Sequence, residues 1–232
     1  NGEGSMRIVP HEQRSPNWYL WRKQGIGSSD IAAIAGMCPY KTAYQVWEKL
    51  MGFRKDEPVN AAMQRGIDFE DAARKYLGDD DLIPACIEHD HYNYFHASLD
   101  GLGSDYFCEI KVPSQKNFSS YQKEIPKHYN VQVQWQYLVS GLKSCTFVAY
   151  SPELKIAHLR EVKRDEEMIE ELERVGDKFW LDYLNGIAPP PTEKDERRIE
   201  HPDLYQKCGE YEIHNHIKNK AEEAMKFLKD QI

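Results

Sequence analysis

Several features that would place this chain of 232 residues in other classes of protein are missing from it. No apolar run approaches the roughly 18 residues that a transmembrane helix requires, so we expect no membrane partner. No secretory signal is recognisable, and none of the five scattered cysteines forms a CxxC pair. Such cysteines are typical of a reducing compartment and argue against a disulfide framework or a zinc cluster. These absences predict a cytoplasmic protein.

The net charge of −8 at first argues against a nucleic-acid partner, but the charges are segregated along the chain. Carboxylates concentrate after residue 160. Between residues 111 and 127, by contrast, the chain has four lysines, Lys111, Lys116, Lys123 and Lys127, and a single acidic residue, Glu124. An acidic protein can therefore carry a locally basic groove.

The order of the predicted elements indicates an α/β domain around one sheet. Glycine-terminated apolar runs predict helices, and runs rich in β-branched and aromatic residues predict strands between them. We assign residues 1–17 to an irregular arm that starts with an added leader before Met6, and residues 18–188 to the main domain. Residues 189–232 are a proline-rich linker and a partly helical tail. The predicted helices are 31–35, 43–51 with Thr42 as its cap, 61–77 with Asn60 as its cap, 119–124, 129–140, 166–184 and 217–228; the predicted strands are 82–88, 92–99, 106–112, 146–150 and 157–162.

Asp100, Glu109 and Lys111 form the most informative constellation. Side chains alternate faces along a strand, so Glu109 and Lys111 share one face of an otherwise apolar run. If Asp100 closes the preceding strand of a hairpin, two carboxylates and one cation meet, which is a ligand set for Mg²⁺ in phosphoryl transfer. A solvated strand face with a surface ion pair is the alternative interpretation.

Two helical segments hold further candidates. Glu70 follows Gly66 on the third helix, where a glycine makes sense if another backbone passes close, and Glu70 then becomes a third carboxylate. Among the glutamines of the 129–140 helix, Gln132 and Gln136 share a face and Gln134 points elsewhere; one of them could orient a water or hold a phosphate. Exposed acids and amides on ordinary helices remain the alternatives.

Arg22 and the segment Gly25–Ser29 form a candidate anion site. Glycines free the backbone, Ser28 and Ser29 supply hydroxyl groups, and Arg22 offers a bidentate donor that suits phosphate. The alternative is an ordinary helix cap with Arg22 at the surface.

Taken together, these residues resemble the lambda-exonuclease-like, or YqaJ-type, viral recombinases of the PD-(D/E)xK nuclease superfamily. The resemblance runs from Trp18 to about Leu184 and depends on five segments in order: Trp21-Arg22 with Gly25–Asp30, Gly66 with Glu70, Ala97–Gly101, Glu109–Lys111 and Gln132–Gln134. It implies a restriction-endonuclease-like core, a central mixed β-sheet flanked by helices.

The resemblance also implies an activity and roles for these residues. The expected activity is Mg²⁺-dependent degradation of one strand of linear duplex DNA from its 5′ end, with Mn²⁺ as a substitute ion and two ions assisting hydrolysis. By this resemblance the metal site comprises Asp100, Glu109 and the Ile110 carbonyl, with Glu70 at the second ion or its water; Lys111 orients or activates the water, Gln134 positions the water or the scissile phosphate, and Arg22, Ser28 and Ser29 hold the 5′-phosphate.

Family members are similar in leaving 3′ single-stranded tails for a single-strand annealing protein and in forming a ring-shaped homotrimer around DNA, in phage-type recombination within the bacterial cytoplasm. Leu99 stands where the superfamily has proline, a change that affects the turn and no metal ligand. The alternatives are a PD-(D/E)xK endonuclease and a non-catalytic module that binds DNA ends.

Overall fold

A mixed sheet of seven strands is the centre of the fold in this computed structural model, which describes residues 6–55, 58–196 and 203–229. The strand order is β1-β3-β4-β5-β6-β7, and β2 pairs in parallel with the start of β4. The strands are β1 (Arg7–Val9), β2 (Ile26–Gly27), β3 (Ile83–Glu88), β4 (Phe95–Leu102), β5 (Tyr106–Lys111), β6 (Ser144–Ser151) and β7 (Ile156–Glu161). The predicted α/β class and mixed sheet are confirmed.

The described residues form eight α-helices: α1 (Pro16–Arg22), α2 (Ser28–Ile34), α3 (Ala43–Leu50), α4 (Ala61–Lys75), α5 (Gln115–Lys123), α6 (Lys127–Ser140), α7 (Glu166–Leu184) and α8 (Leu204–Lys229). Thr42 caps α3 by accepting the N–H of Gln45, and Asn60 caps α4 by accepting two N–H groups, as predicted. The predicted bounds of α7 are also confirmed.

Two predictions near the N-terminus are wrong. The arm is not irregular, because β1 pairs antiparallel with β3 and α1 already begins at Pro16, behind a Ser15 cap. Ser28 does not precede its helix either: Gly27 takes the extended cap conformation, so Ser28 and Ser29 form the first turn of α2. Local residue preferences signal a boundary here but do not decide which residue takes the cap.

Helix α6 lies between the sheet and two other helices, α2 and α7. Its side chains from Val133 to Ser140 are all buried, because neighbours cover it on several sides. The other face of the sheet packs a smaller apolar cluster that includes Ala73 of α4 and Ile110 of β5. The sheet is therefore covered on both faces, and β5 lies in its interior.

A bulge interrupts β4 beside its C-terminal end. Ile83 pairs with Leu102 and Ala85 with Leu99, so the four residues 99–102 of β4 lie opposite the three residues 83–85 of β3. Leu99 and Leu102 consequently both enter the main core, with Asp100 and Gly101 between them. Bulges re-aim side chains and are common beside active sites.

Contacts divide the chain into two compact units, Asn1–Asp195 and Glu196–Ile232. Helix α8 belongs to the second unit, and most of its described side chains are exposed. The predicted domain limits stay a prediction. Among the described residues, no helix combines the length and the apolar character needed to cross a membrane.

Two helical glycines differ sharply in what surrounds them, which gives a test of packing. A Cβ on Gly176 of α7 would lie 2.7 Å from the buried Trp135 ring, whereas a Cβ on Gly66 of α4 would meet no atom of the described residues within 4 Å. We expect Gly176→Ala to lower the free energy of unfolding by about 1–3 kcal/mol through overpacking. Gly66→Ala should raise it by about 0.5–1 kcal/mol through helix propensity. Urea unfolding measures the free energy of unfolding of both variants, and equal changes in the two would contradict this account of their packing.

Candidate active site

Two carboxylates come together where β4 and β5 separate. The described pairing of these strands comprises Gly101 with Cys108 and Leu102 with Phe107, and the next residues along are Asp100 and Glu109. Instead of continuing the backbone ladder, the Asp100 side chain accepts the N–H of Ile110 through Oδ2 at 2.7 Å. The predicted hairpin thus brings Asp100 beside Glu109, with the bulge presenting the Asp100 side chain.

Glu109 is a fully buried carboxylate, only 1% exposed. Gln132 Nε2 donates to its Oε1 at 2.8 Å, and Gln136 Nε2 donates to its Oε2 at 2.6 Å. Lys111 forms an ion pair with Oε1 on the same face of β5. Three donors satisfy a group that could not otherwise be buried as an anion.

The pKa values of this cluster show how its charges interact. Burial, together with the neighbouring Glu109 carboxylate, raises the pKa of Asp100 well above its usual value. Burial lowers the pKa of Lys111, but the nearby Glu109 and Asp100 carboxylates outweigh that effect and raise it. Lys111 is therefore a cation that partly compensates two close carboxylates.

Glu70 lies beside this pair, but its carboxylate forms ion pairs with two arginines. Arg74 Nη2 donates to its Oε1 at 3.0 Å, and Arg14 of the N-terminal arm pairs with its Oε2. Arg74 also donates through Nε to the Asp100 carbonyl oxygen at 2.6 Å, and Gln13 donates to the Leu99 carbonyl oxygen. Glu70 thus belongs to a network that holds the bulge, and its negative charge contributes to the raised pKa of Asp100.

The explanation given for Gly66 is wrong, because no backbone of the described residues passes within 4 Å of the position that its Cβ would take. Packing among the described residues therefore gives no reason for a glycine there.

The oxygen donors of Asp100, Glu109 and Ile110 offer a small ligand set for a divalent cation. Across residues 6–55, 58–196 and 203–229, no three His, Cys, Asp or Glu side chains are grouped closely enough to form a metal cluster. A carboxylate offers about four lone-pair directions. Glu109 uses three and Asp100 one, so both keep acceptor capacity, and hard oxygen donors with excess negative charge suit Mg²⁺. Asp100, Glu109 and the Ile110 carbonyl fit such an ion as a minimal set.

The interpretation of Gln134 is wrong. Its Oε1 accepts the N–H of Asp165 at 2.9 Å, and its Nε2 donates to the Lys163 carbonyl oxygen at 2.9 Å. These bonds tie α6 to the start of α7 on the side away from Glu109. Gln132 and Gln136 reach the site instead, and their i, i+4 spacing was the signal that could have identified them.

The candidate anion site is assembled around Arg22. Its Nη2 donates to Ser29 Oγ at 3.0 Å and to Asp30 Oδ2 at 2.8 Å, while Lys41 donates to Asp30 Oδ1 at 2.7 Å. Burial disfavours the Asp30 anion, but Lys41 and Arg22 outweigh it and hold the Asp30 pKa below its usual range. The guanidinium lies over Gly27, where a Cβ would approach within 2.7 Å. Ser28 is buried beside this group.

One cavity of about 520 Å³ extends from the Arg22 group to Lys111 and Gln132, which both contact Glu109; Asp100 and Glu109 themselves are not among its described lining residues. Its lining includes Lys111 and Gln132 together with Arg22, Ser28 and Ser29. Its described lining has one carboxylate, Asp30, and five cationic side chains: Arg22, Lys23, Lys41, Lys49 and Lys111. This acidic chain thus carries a locally basic groove, but of the four lysines in the 111–127 segment only Lys111 lines it.

Comparison with known proteins adds independent information. The profile of the YqaJ-like viral recombinase domain matches residues 17–143, more than half of the chain. The chain belongs to this family. The match includes both the Arg22 group and the Asp100–Glu109 pair. A curated relative, the uncharacterized protein YqaJ of Bacillus subtilis (strain 168), is 28% identical over 193 residues, 77% of this chain. The chain spans only 59% of that relative's length.

Solved structures agree on the fold. The alkaline exonuclease LHK-Exo from Laribacter hongkongensis is 26% identical, with a TM-score of 0.62 over 74% of this chain and 94% of that one. Its complex with dAMP gives a TM-score of 0.63 over the same shares. A phage-related exonuclease from Haemophilus somnus 129PT, 13% identical, has a TM-score of 0.52 over 70% of this chain and 96% of that chain, and shares the fold alone. The predicted restriction-endonuclease-like core is confirmed.

Repulsion within the carboxylate pair predicts an unusual mutational effect. In EDTA, we expect Asp100→Asn to raise the free energy of unfolding by about 0.5–2 kcal/mol, because the amide ends the repulsion with Glu109 and still accepts the Ile110 N–H. The exposed Asp105→Asn is the matched control and should change stability by less than about 0.5 kcal/mol. Thermal and urea unfolding measure both variants. A clear loss of stability in Asp100→Asn would contradict this account.

Proposed function

We propose that this chain is a Mg²⁺-dependent exonuclease that degrades one strand of linear duplex DNA from its 5′ end. The observation that carries the proposal is the shared cavity: it brings Lys111, at the carboxylate pair, and Arg22 with Ser29 into one basic space. Family membership supports a nuclease, and LHK-Exo is itself an alkaline exonuclease. LHK-Exo also forms a complex with dAMP, a 5′-mononucleotide of the class that this reaction releases.

In this proposal each group acts on a phosphate. Arg22 and the Ser29 hydroxyl bind the terminal 5′-phosphate, whose extra negative charge relative to an internal phosphodiester suits the excess of cations around it. Asp100, Glu109 and the Ile110 carbonyl would hold Mg²⁺, which would supply Lewis-acid stabilisation of the phosphoryl group. Lys111 orients the attacking water, while Gln132 and Gln136 fix Glu109. Glu70 and Arg74 keep the bulge in place.

Polarity in this proposal follows from the two ends of the cavity. A strand whose 5′-phosphate is bound at Arg22 presents its first internal phosphodiester towards Lys111, and the release of one nucleotide leaves a new 5′-phosphate. Binding of that phosphate favours forward motion over dissociation. A homotrimeric ring, a single-strand annealing partner and a cytoplasmic location belong to the same proposal, as implications of the family resemblance.

The first test is digestion of linear duplex DNA labelled separately at its 5′ and 3′ ends. With Mg²⁺, we expect early release of the 5′ label as a mononucleotide and retention of the 3′ label in long products; EDTA should abolish both. Asp100→Asn, Glu109→Gln and Lys111→Ala should each lower the rate by at least about 100-fold, because each removes a group at the reacting phosphate.

The exposed Lys75→Ala is the control for Lys111→Ala and should keep the wild-type rate within about twofold. Earlier release of the 3′ label would refute the polarity. Cutting of a closed circular duplex would favour the endonuclease. If Mg²⁺ causes no change in either the linear or the circular substrate, the remaining alternative is the non-catalytic module that binds DNA ends.

The phosphate anchor makes a separate prediction. Arg22→Ala should raise KM for a 5′-phosphorylated duplex by roughly 10- to 100-fold, since charge-assisted hydrogen bonds are worth about 1.5–3 kcal/mol. The same substitution should have little effect on a duplex with a 5′-hydroxyl end. Arg174→Ala is the control, because Arg174 pairs with Glu171 on the exposed side of α7. Equal KM values of wild type and Arg22→Ala on both duplexes would eliminate the anchor.

A further inference from the structure

Three aromatic side chains form a row from the mouth of the cavity to Lys111. The rings of Tyr40 and His128 meet edge to face with centroids 5.5 Å apart, and His128 lies 4.1 Å from Tyr129. Lys111 Nζ lies 4.7 Å from the centroid of the Tyr129 ring. All four residues line the cavity that contains Arg22 and Ser29. We call Tyr40, His128 and Tyr129 the aromatic row.

The row is anchored at its inner end and open at its outer end. Tyr129 contacts the rings of Tyr121 and Phe147, which join it to the core. Tyr40 is 79% exposed, and it directly precedes Lys41, which is paired with the half-buried Asp30. Tyr40 therefore presents an aromatic surface to solvent from a backbone that its neighbour holds in place.

Such a surface next to cations has a specific chemical use. Proteins that bind single nucleic-acid strands combine cations along the phosphates with aromatic rings on which the bases stack. The cavity supplies both, since Lys41 and Lys111 flank the aromatic row at its two ends. None of the roles given to Arg22, Lys111 or the carboxylate pair uses Tyr40 or His128.

We propose that Tyr40 and His128 form a nucleobase subsite, which stacks against the 5′-terminal base of the strand being degraded. The proposal rests on the proposed function for the identity of that strand. The subsite holds the base while Arg22 and Ser29 hold the attached phosphate, so it selects a nucleotide with a base over a bare sugar phosphate. An exposed tyrosine with a purely structural role would have no such selectivity.

Binding measured without cleavage tests the subsite. The probes are two 5′-phosphorylated single-stranded pentanucleotides with a 3′ fluorophore, one of normal sequence and one with an abasic 5′-terminal residue. Fluorescence anisotropy in EDTA gives Kd for each probe with the full-length protein. For the wild type, we expect the abasic probe to bind roughly 5- to 100-fold more weakly, the range for one lost base stack.

Variants then locate the effect. Tyr40→Ala should lose most of the difference between the two probes, and His128→Ala should lose part of it, while Tyr40→Phe should keep it because the ring remains. Tyr211→Ala is the matched control, since Tyr211 is 70% exposed and lies on α8, outside the residues that line the cavity. The control should keep the wild-type difference.

Three results would overturn the subsite. They are equal Kd values of the wild type for the two probes, an undiminished difference between the two Kd values in Tyr40→Ala, and no binding of either probe. The proposed function fails separately. If the same wild-type preparation does not cut labelled duplex with Mg²⁺, the nuclease proposal is wrong, while the comparison of the two probes still decides whether the aromatic row binds a base.

Discussion

The burial of one negative charge, that of Glu109, constrains the rest of this structure. A carboxylate in a protein interior is tolerated only when it is paired and hydrogen-bonded, and its desolvation costs several kcal/mol otherwise. The partners come from two directions: Lys111 lies two residues further along β5, and Gln132 and Gln136 belong to α6. Because these bonds join the sheet to the helix, they also determine which face of α6 meets β5.

The same requirement explains the surroundings of Asp100. A second carboxylate beside Glu109 is unfavourable by itself, and the raised pKa of Asp100 expresses that cost. The bulge nevertheless holds Asp100 there, with Arg74 and Gln13 donating to the carbonyl oxygens of Asp100 and Leu99. The Mg²⁺ that we propose for this site would relieve the repulsion between these like charges. The cations that line the neighbouring cavity create a positive potential there, and this local potential does not depend on the net charge of the chain.

Much of the framework was predictable because it depends on local chemistry. The caps Thr42 and Asn60, the bounds of α7, and the shared face of Glu109 and Lys111 follow from residue preferences and strand alternation. Apart from the position of the cap at Gly27 and Ser28, the errors concern the packing of elements that are distant in the chain. Gln134 was a candidate through the family resemblance, yet the packing of α6 against α7 turns it to the backbone of residues 163–165.

The amino-acid sequence by itself determined the family, the α/β class and which residue types are available for phosphate chemistry, because these are carried by short motifs and by periodicity along the chain. Only the tertiary structure decided which of them meet. The extra residue in β4, the two glutamines that reach Glu109, the arginines around Glu70 and the cavity that joins Arg22 to Lys111 all arise from register and packing. These depend on contacts between distant segments, whose energies no local pattern encodes.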